Sequence, residues 1–394
     1  MTLADRPRLR VGIAGFGVAA RQIVPAFRGY DGARLAAVAD LRTDELERAR
    51  EQYGVATFAG VEAMCASPEI DAVWIATPNA FHAEHVVQAA RNGKHVICEK
   101  PMAISLAECD RMIEACARAG VRYVQGHSKL YDRPIRAMRE VIASGELGRV
   151  VQIDTWNFND WLLRPRVASE VDTAQGGGVV YRQGPHQVDI VRYLGGGLVE
   201  TVSATATRSE PAFDTEGGFS ALVRFAGGAA ATLSFNGYGY FNATELTWDT
   251  GEGGQREAPR TGPRPAPSGP LAAERKYALP RYQGEDEAAR ERGQPFFGLT
   301  IVSCERGVIR QSPQGLAVYG EAGRREVVLP AERARGAELR ELVDAIRADR
   351  DPFPGARWGK ATLEVCLAIL TSARERHEVR LAHQCAVPNG EGKR

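Results

Sequence analysis

The chain has 394 residues, 44% of them hydrophobic and 25% charged, with a formal net charge of +1. That is a globular balance, and the length suggests roughly two domains. The near-zero charge argues against a general nucleic-acid binder, which needs a basic excess, and no apolar run reaches the ~20 residues of a membrane span.

Arg8 to Ala14 reads as a buried strand, and Gly15 to Ala20 turns into a helix through Arg28. Ala33 to Ala39 is a second strand ending at Asp40. Thr43 is placed to cap the next helix, whose polar face runs from Glu45 to Gln52. Further strands are expected at Ala72–Ala76, His95–Cys98 and Arg122–Gln125. Helices are expected at Phe81–Arg91 and at Ser105–Arg118, the latter capped by Ser105. Near-continuously apolar strands alternating with helices mean a parallel sheet covered on both faces.

The rhythm changes near residue 148. Val150 to Asn157 alternates like a half-buried strand, and Gly178 to Leu194 reads as one helix. Strands follow at Thr201–Thr207, Phe219–Phe225, Ala230–Phe235 and Thr244–Trp248, separated by Gly turns, as in an antiparallel sheet. Residues 251–293, rich in Pro and Gly, read as a long surface loop. Strand-like pattern returns over Val308–Leu329, then helices over Glu338–Ala348 and Lys360–Arg374. The division is placed at 127/128, with a C-terminal helix able to pack back on the first domain. The N-terminus has no h-region, and the seven cysteines, an odd number, sit in apolar segments. Cys98, Cys109, Cys116 and Cys366 fit small core residues in a reducing cytoplasm, the expected location.

Gly15-Phe16-Gly17-Val18-Ala19-Ala20 joins a strand to a helix, as a dinucleotide fingerprint must. Gly15 permits the tight turn, Gly17 lets a pyrophosphate approach the backbone, and Ala20 lets helix and strand pack closely. Asp40, at the end of the next strand, is placed to accept the adenosine ribose hydroxyls. A carboxylate there repels a 2′-phosphate and so favours NAD over NADP, although Arg42 can offset it. Thr77, Pro78 and Asn79 end a third strand, where ligands of open parallel sheets bind. Asn79 serves equally well as a helix cap. His82, counted with the cofactor-facing residues, lies one turn from His85. Without suitable Cys or acidic partners the pair makes no metal site and reads as helix surface.

Glu99-Lys100-Pro101 closes a buried strand on the same sheet. A lysine there can act as an acid or base, where an isolated one would simply snorkel to water. A second constellation runs from Gly176-Gly177-Gly178 through Arg182, His186 and Asp189. The glycines open a helix and let a ligand approach. Arg182 and His186, four apart, are expected on one face, with Asp189 placed to orient the imidazole.

On these motifs the chain resembles the glucose–fructose oxidoreductase, inositol dehydrogenase and MocA family. The resemblance implies an α/β Rossmann domain with a parallel sheet, followed by an α+β domain with a mostly antiparallel open sheet through which homodimers or homotetramers form. It also implies a cis peptide before Pro101 and a catalytic pairing of Lys100 with His186. Many sugar and polyol members carry an acid at the position of Arg182. Trp161, Arg164 and Arg166 add an aromatic and two more cations, which suit carboxylates through paired hydrogen bonds. Against this, Arg164 and Arg166 are also readable as solvated loop residues, and Arg182 as the partner of a protein acid such as Asp172 or Asp189. The segment Asn157–Gly197 resembles the phthalate 4,5-cis-dihydrodiol dehydrogenase branch. The implied reaction is NAD-dependent oxidation of a cyclic cis-dihydrodiol dicarboxylate to 4,5-dihydroxyphthalate. The alternatives are a sugar-acid or cyclitol dehydrogenase and a non-catalytic NAD-binding sensor.

Overall fold

In the computed structural model, which describes residues 8–259, 261–264, 266, 293–330 and 336–388, the chain divides after His127 into two units. The first contains β1 (Leu9–Ala14), β2 (Ala33–Ala39), β3 (Ala56–Phe58), β4 (Ala72–Ile75), β5 (His95–Glu99) and β6 (Tyr123–Gly126), all parallel, in the order β3-β2-β1-β4-β5-β6. The strand order reverses between β1 and β4, and ligands of doubly wound sheets bind at that crevice, beyond the carboxyl ends of the strands. Val11, Ile13, Trp74, Ile97 and Val124 form the buried core, together with Leu339, Leu342 and Val343 from a helix late in the chain (Ala337–Arg347). Residues Gly336–Lys360 thus belong to the first unit.

Its helices are α1 (Val18–Ile23), α2 (Thr43–Tyr53), α3 (Val61–Ala66), α4 (His82–Arg91) and α5 (Leu106–Ala119). Pro25, which has no N–H to donate, tightens the end of α1 into a 3-10 turn over Val24–Phe27. Ser105 caps α5 by accepting from the Glu108 N–H at 3.3 Å. Thr43 is not a cap: it is the first helical residue of α2, and Arg42 occupies the capping position. The short β3 and α3 escaped the sequence reading because three and six residues hold too little periodicity to register.

The second unit starts with α6 (Arg133–Ser144) and carries a nine-stranded sheet. Its strands are β7 (Val150–Phe158), β8 (Val199–Thr207), β9 (Gly218–Phe225), β10 (Ala230–Asn236), β11 (Leu299–Cys304), β12 (Gly307–Ser312), β13 (Gly315–Gly320), β14 (Gly323–Val328) and β15 (Val379–Arg380). All neighbouring pairs are antiparallel except β7–β10. Ile153, Thr155 and Asn157 of β7 are buried, while Gln152 and Trp156 are exposed, so one face of that strand is covered and the other open. The expected strand Thr244–Trp248 is instead a 3-10 turn over Ala243–Thr247, begun by an Asn242 side chain that accepts from the Thr244 N–H. An Asx cap outcompetes β propensity there. Most of the 251–293 loop lies outside the described residues.

The single helix expected over Gly178–Leu194 is two: α7 (Gly178–Arg182) and α8 (Gly184–Leu194), meeting at Gln183. Pro185, in the first turn of α8, can donate no backbone hydrogen bond to a preceding turn, so the ladder restarts. Arg182 therefore ends one helix and His186 lies in the first turn of the next, so the two are not on successive turns of one helix. Arg192 of α8 is fully buried and donates to Gln384 Oε1, Thr362 Oγ1 and the carbonyls of Gly197 and Cys385, tying the C-terminal segment to this helix. Thr362 lies on the long helix α10 (Ala356–Glu375), which follows α9 (Ala337–Arg347).

Candidate functional site

In the first unit the Gly15 turn follows β1. Gly15 has φ +83°, a left-handed conformation, and an added Cβ would lie 2.9 Å from the Ala76 carbonyl oxygen, so only glycine fits. Around Gly17 the opposite holds: an added Cβ would meet nothing within 4 Å, and no side chain caps α1. Open space in front of an uncapped helix N-terminus is what a pyrophosphate requires. Ala20 is fully buried, as close helix–strand packing needs, and Ala19 is half-buried beside it.

Asp40 is held at the mouth of this turn. Its Oδ2 accepts the Phe16 N–H at 2.7 Å, and its Oδ1 accepts the Arg42 N–H at 2.9 Å. The Arg42 guanidinium spans the carboxylate, with Nε 3.1 Å from Oδ1 and Nη2 3.2 Å from Oδ2. The carboxylate sits where ribose hydroxyls would be read, and the arginine expected to offset it lies directly upon it. Glu45, expected on the polar face of α2, is buried instead, with Arg21 and Arg48 on its carboxylate.

The ends of β4 and β5 are tied together by His82. Its Nδ1 lies 2.8 Å from the Pro101 carbonyl oxygen and its Nε2 lies 2.9 Å from that of Thr77. The helix-surface reading is therefore wrong for His82, which is 1% exposed. It acts on the site by clamping two loops, and spacing alone could not show this, because its partners are backbone carbonyls. His85 meets Thr77 Oγ1 at 2.9 Å and stacks on Phe81, and burial pushes its imidazole below the ordinary range. Asn79 is buried in a 3-10 turn and does not cap it; Pro78 precedes that turn.

Lys100 stands between pinned neighbours. Gln125 Nε2 donates to the carbonyls of Cys98 at 3.0 Å and Glu99 at 3.3 Å, and the Glu99 carboxylate accepts from Trp74 Nε1 at 3.3 Å. Pro101, beyond it, is held by His82, and the Lys100–Pro101 peptide is cis, as the resemblance implied. Gln125 carried no signal in the sequence, since a glutamine on a buried strand shows its role only through what it reaches.

In the second unit His186 opens α8, is 9% exposed, and packs its ring 4.8 Å from that of Phe297. Asp189 is buried, and its Oδ1 accepts from Thr362 Oγ1 at 3.4 Å. The glycines before α7 serve the protein's own packing. A Cβ on Gly177 would lie 2.6 Å from the Ser169 carbonyl oxygen, and one on Gly178, at φ +82°, 2.2 Å from Glu216 Oε1. Glu216 is buried and accepts from the Val180 N–H and Thr173 Oγ1, thereby capping α7. Gly178→Ala is expected to cost about 2–4 kcal/mol, from positive φ plus overpacking, read as a lowered urea midpoint at unchanged slope. A loss below about 0.5 kcal/mol would show that the Glu216 contact yields freely.

Trp161, Arg166, Glu170 and Arg182 form one cluster. Arg166 lies 4.1 Å above the Trp161 ring and donates to its carbonyl oxygen from Nε (3.1 Å) and Nη2 (2.9 Å). Its Nη1 is 4.0 Å from Glu170 Oε1, the same oxygen that accepts from Arg182. Burial pushes the Arg166 guanidinium down to about 9, so it is charged at neutral pH. Arg182 thus has an internal acid, Glu170, which was not among those expected, while Asp172 accepts from the Ala174 N–H at 2.9 Å. Arg164 stands apart, half-exposed, 2.7 Å from Asp160. Glu170 is the residue the sequence reading missed. Its spacing of four from Arg166 was visible, but its burial was not.

A profile of the "Oxidoreductase family, NAD-binding Rossmann fold" matches residues 9–127, and one of the "GFO/IDH/MocA C-terminal domain" matches residues 135–252. The chain is 34% identical, over 93% of its own length and 95% of the relative's, to 1-carboxy-3-chloro-3,4-dihydroxycyclohexa-1,5-diene dehydrogenase of Comamonas testosteroni. Over 50% of its length and 53% of the relative's it is 30% identical to myo-inositol 2-dehydrogenase of Thermotoga maritima. A putative dehydrogenase from Bordetella bronchiseptica superposes with TM-score 0.88 and 38% identity, covering 95% of this chain and all of that one. No helix among the described residues is long and apolar enough to cross a membrane. With both of its matched segments assigned and a relative similar along nearly the whole length, the chain belongs to the GFO/IDH/MocA family of NAD-binding oxidoreductases.

Proposed function

We propose that this enzyme oxidises a carboxylated cyclohexadiene cis-diol to the corresponding catechol. The observation that carries the reading is the similarity, over 93% of the chain, to a dehydrogenase whose name describes a carboxylated dihydroxycyclohexadiene. NAD, when bound, supplies the acceptor for a hydride leaving one carbinol carbon. Lys100 takes the proton of that hydroxyl. In the resulting dienone the hydrogen on the second carbinol carbon leaves as a proton while the carbonyl oxygen gains one, and the aromatic catechol so formed draws the reaction toward oxidation. Arg166, held over Trp161 with its Nη1 4.0 Å from Glu170 Oε1, is the cation taken to meet the substrate carboxylate.

The test is NADH formation across a panel: mono- and dicarboxylated cyclohexadiene cis-diols, uncharged cis-diols, inositols and sugar acids. A carboxylated diol is expected to exceed myo-inositol in kcat/KM by at least about a hundredfold, since a site built for a polar group rejects analogues lacking it. Preference for an inositol or sugar acid would replace this reading with the second one, a cyclitol or sugar-acid dehydrogenase. One observation favours that second reading: Glu170 already answers the charge of Arg182. Whether the substrate bears one carboxylate or the two of a phthalate diol is read from the same panel.

A further inference from the structure

We propose that Glu45 selects between NAD and NADP by withholding three arginines from the ribose 2′ position. Glu45 belongs to the first unit, which carries the dinucleotide turn. Glu45 is 3% exposed in its side chain, and a single oxygen, Oε1, lies 2.7 Å from Arg21 Nη2, 2.6 Å from Arg48 Nη2 and 3.3 Å from Arg42 Nη1. The three guanidiniums come from α1 (Arg21), the middle of α2 (Arg48) and the residue before α2 (Arg42), and Arg42 links the cluster to Asp40, which is placed to read the adenosine ribose. Arg48 is also shared with Asp44 at 2.5 Å.

Arg42 is the moving part. Its fork covers Asp40, and Nη2 also reaches the Phe16 carbonyl oxygen at 3.4 Å. For Asp40 to accept two ribose hydroxyls, that fork must leave. The carboxylate keeps its two backbone donors, Phe16 N–H and Arg42 N–H, and its geometry with them. Glu45 Oε1, already 3.3 Å from Nη1, is the acceptor onto which Arg42 turns. As a carboxylate Glu45 neutralises the arginine on arrival, and Asp40 then presents a net negative face that accepts hydroxyls and repels a phosphate. With a neutral side chain at 45, Arg42 keeps Asp40 and Arg48 keeps Asp44, but the carboxylate common to all three arginines is gone, so the surroundings of the ribose are one charge more positive and favour a phosphate dianion at the 2′ position.

The experiment measures dissociation constants of NAD+ and NADP+ by calorimetry at low ionic strength, which needs no turnover. In Glu45→Gln the ratio Kd(NADP+)/Kd(NAD+) is expected to fall about tenfold, the scale of one charge-assisted hydrogen bond, and the fall should shrink as salt is raised. Glu45→Asp keeps the charge but draws it back by one methylene, and should shift the ratio about threefold the same way. It decides the matter if the Gln protein does not fold. A merely structural Glu45 would weaken both dinucleotides alike, and an unmoved ratio in a folded variant overturns the proposal. Failure of the unsubstituted protein to bind either dinucleotide would strike the cofactor site itself and not Glu45 alone.

Discussion

Lys100→Met is expected to lower kcat by at least about a hundredfold while leaving the affinity for NAD within about threefold, the pattern of a lost acid–base group. Methionine keeps the length and apolar stem of lysine and removes only the proton carrier. The site should persist around it, because its neighbours are held independently: Gln125 holds the carbonyls of Cys98 and Glu99, and His82 holds that of Pro101. Steady-state rates with the best substrate of the panel, together with an NADH fluorescence titration, separate the two quantities. Near-normal turnover would show that another group takes the proton. Loss of NAD affinity in step with kcat would make Lys100 a binding residue. His186→Asn should also be severely impaired, since it removes the imidazole that packs on Phe297 at the start of α8.

Glu170→Ala is expected to be the most destabilising of these changes, by about 3–5 kcal/mol, because it strands buried positive charge. Glu170 is 3% exposed, and its carboxylate is shared by Arg182 and Arg166, the latter 11% exposed in its side chain. Its Oε2 also accepts the Val167 N–H at 3.1 Å. Removing the acid leaves two guanidiniums and a backbone donor without it, and the methyl cannot fill the space. The measurement is the urea midpoint with circular dichroism, read beside Glu170→Gln, which keeps the volume and one acceptor and should lose less. Arg182→Ala completes the comparison. Since Arg182 is tied to Glu170, its loss should raise KM for charged and uncharged diols alike. A rise confined to carboxylated substrates would mean that Arg182 leaves Glu170 to bind them. A loss below about 1 kcal/mol in Glu170→Ala would mean that water enters and solvates the arginines.

The family, the parallel sheet and the placement of Gly15, Asp40 and Lys100 were legible because each depends on local pattern. An apolar run makes a buried strand, a glycine permits a left-handed turn, and residues at strand ends of a parallel sheet collect on one edge. Ser105 was legible for the same reason, since a cap acts three residues away. What failed had long-range causes. His82 looked like helix surface because its partners, the carbonyls of Thr77 and Pro101, belong to two different loops. Gly178 to Leu194 looked like one helix because Pro185 leaves periodicity intact while breaking the hydrogen-bond ladder. Gly177 and Gly178 suggested room for a ligand, but the space beside them is filled by Ser169, Asp172 and Glu216. Glu45 was placed on a polar helix face, and Glu170 and Glu216 carried no signal. Burial turned each into the anchor of arginines or helix donors, because a carboxylate removed from water must be answered by charge or hydrogen bonds, and only the tertiary structure brings those partners to it.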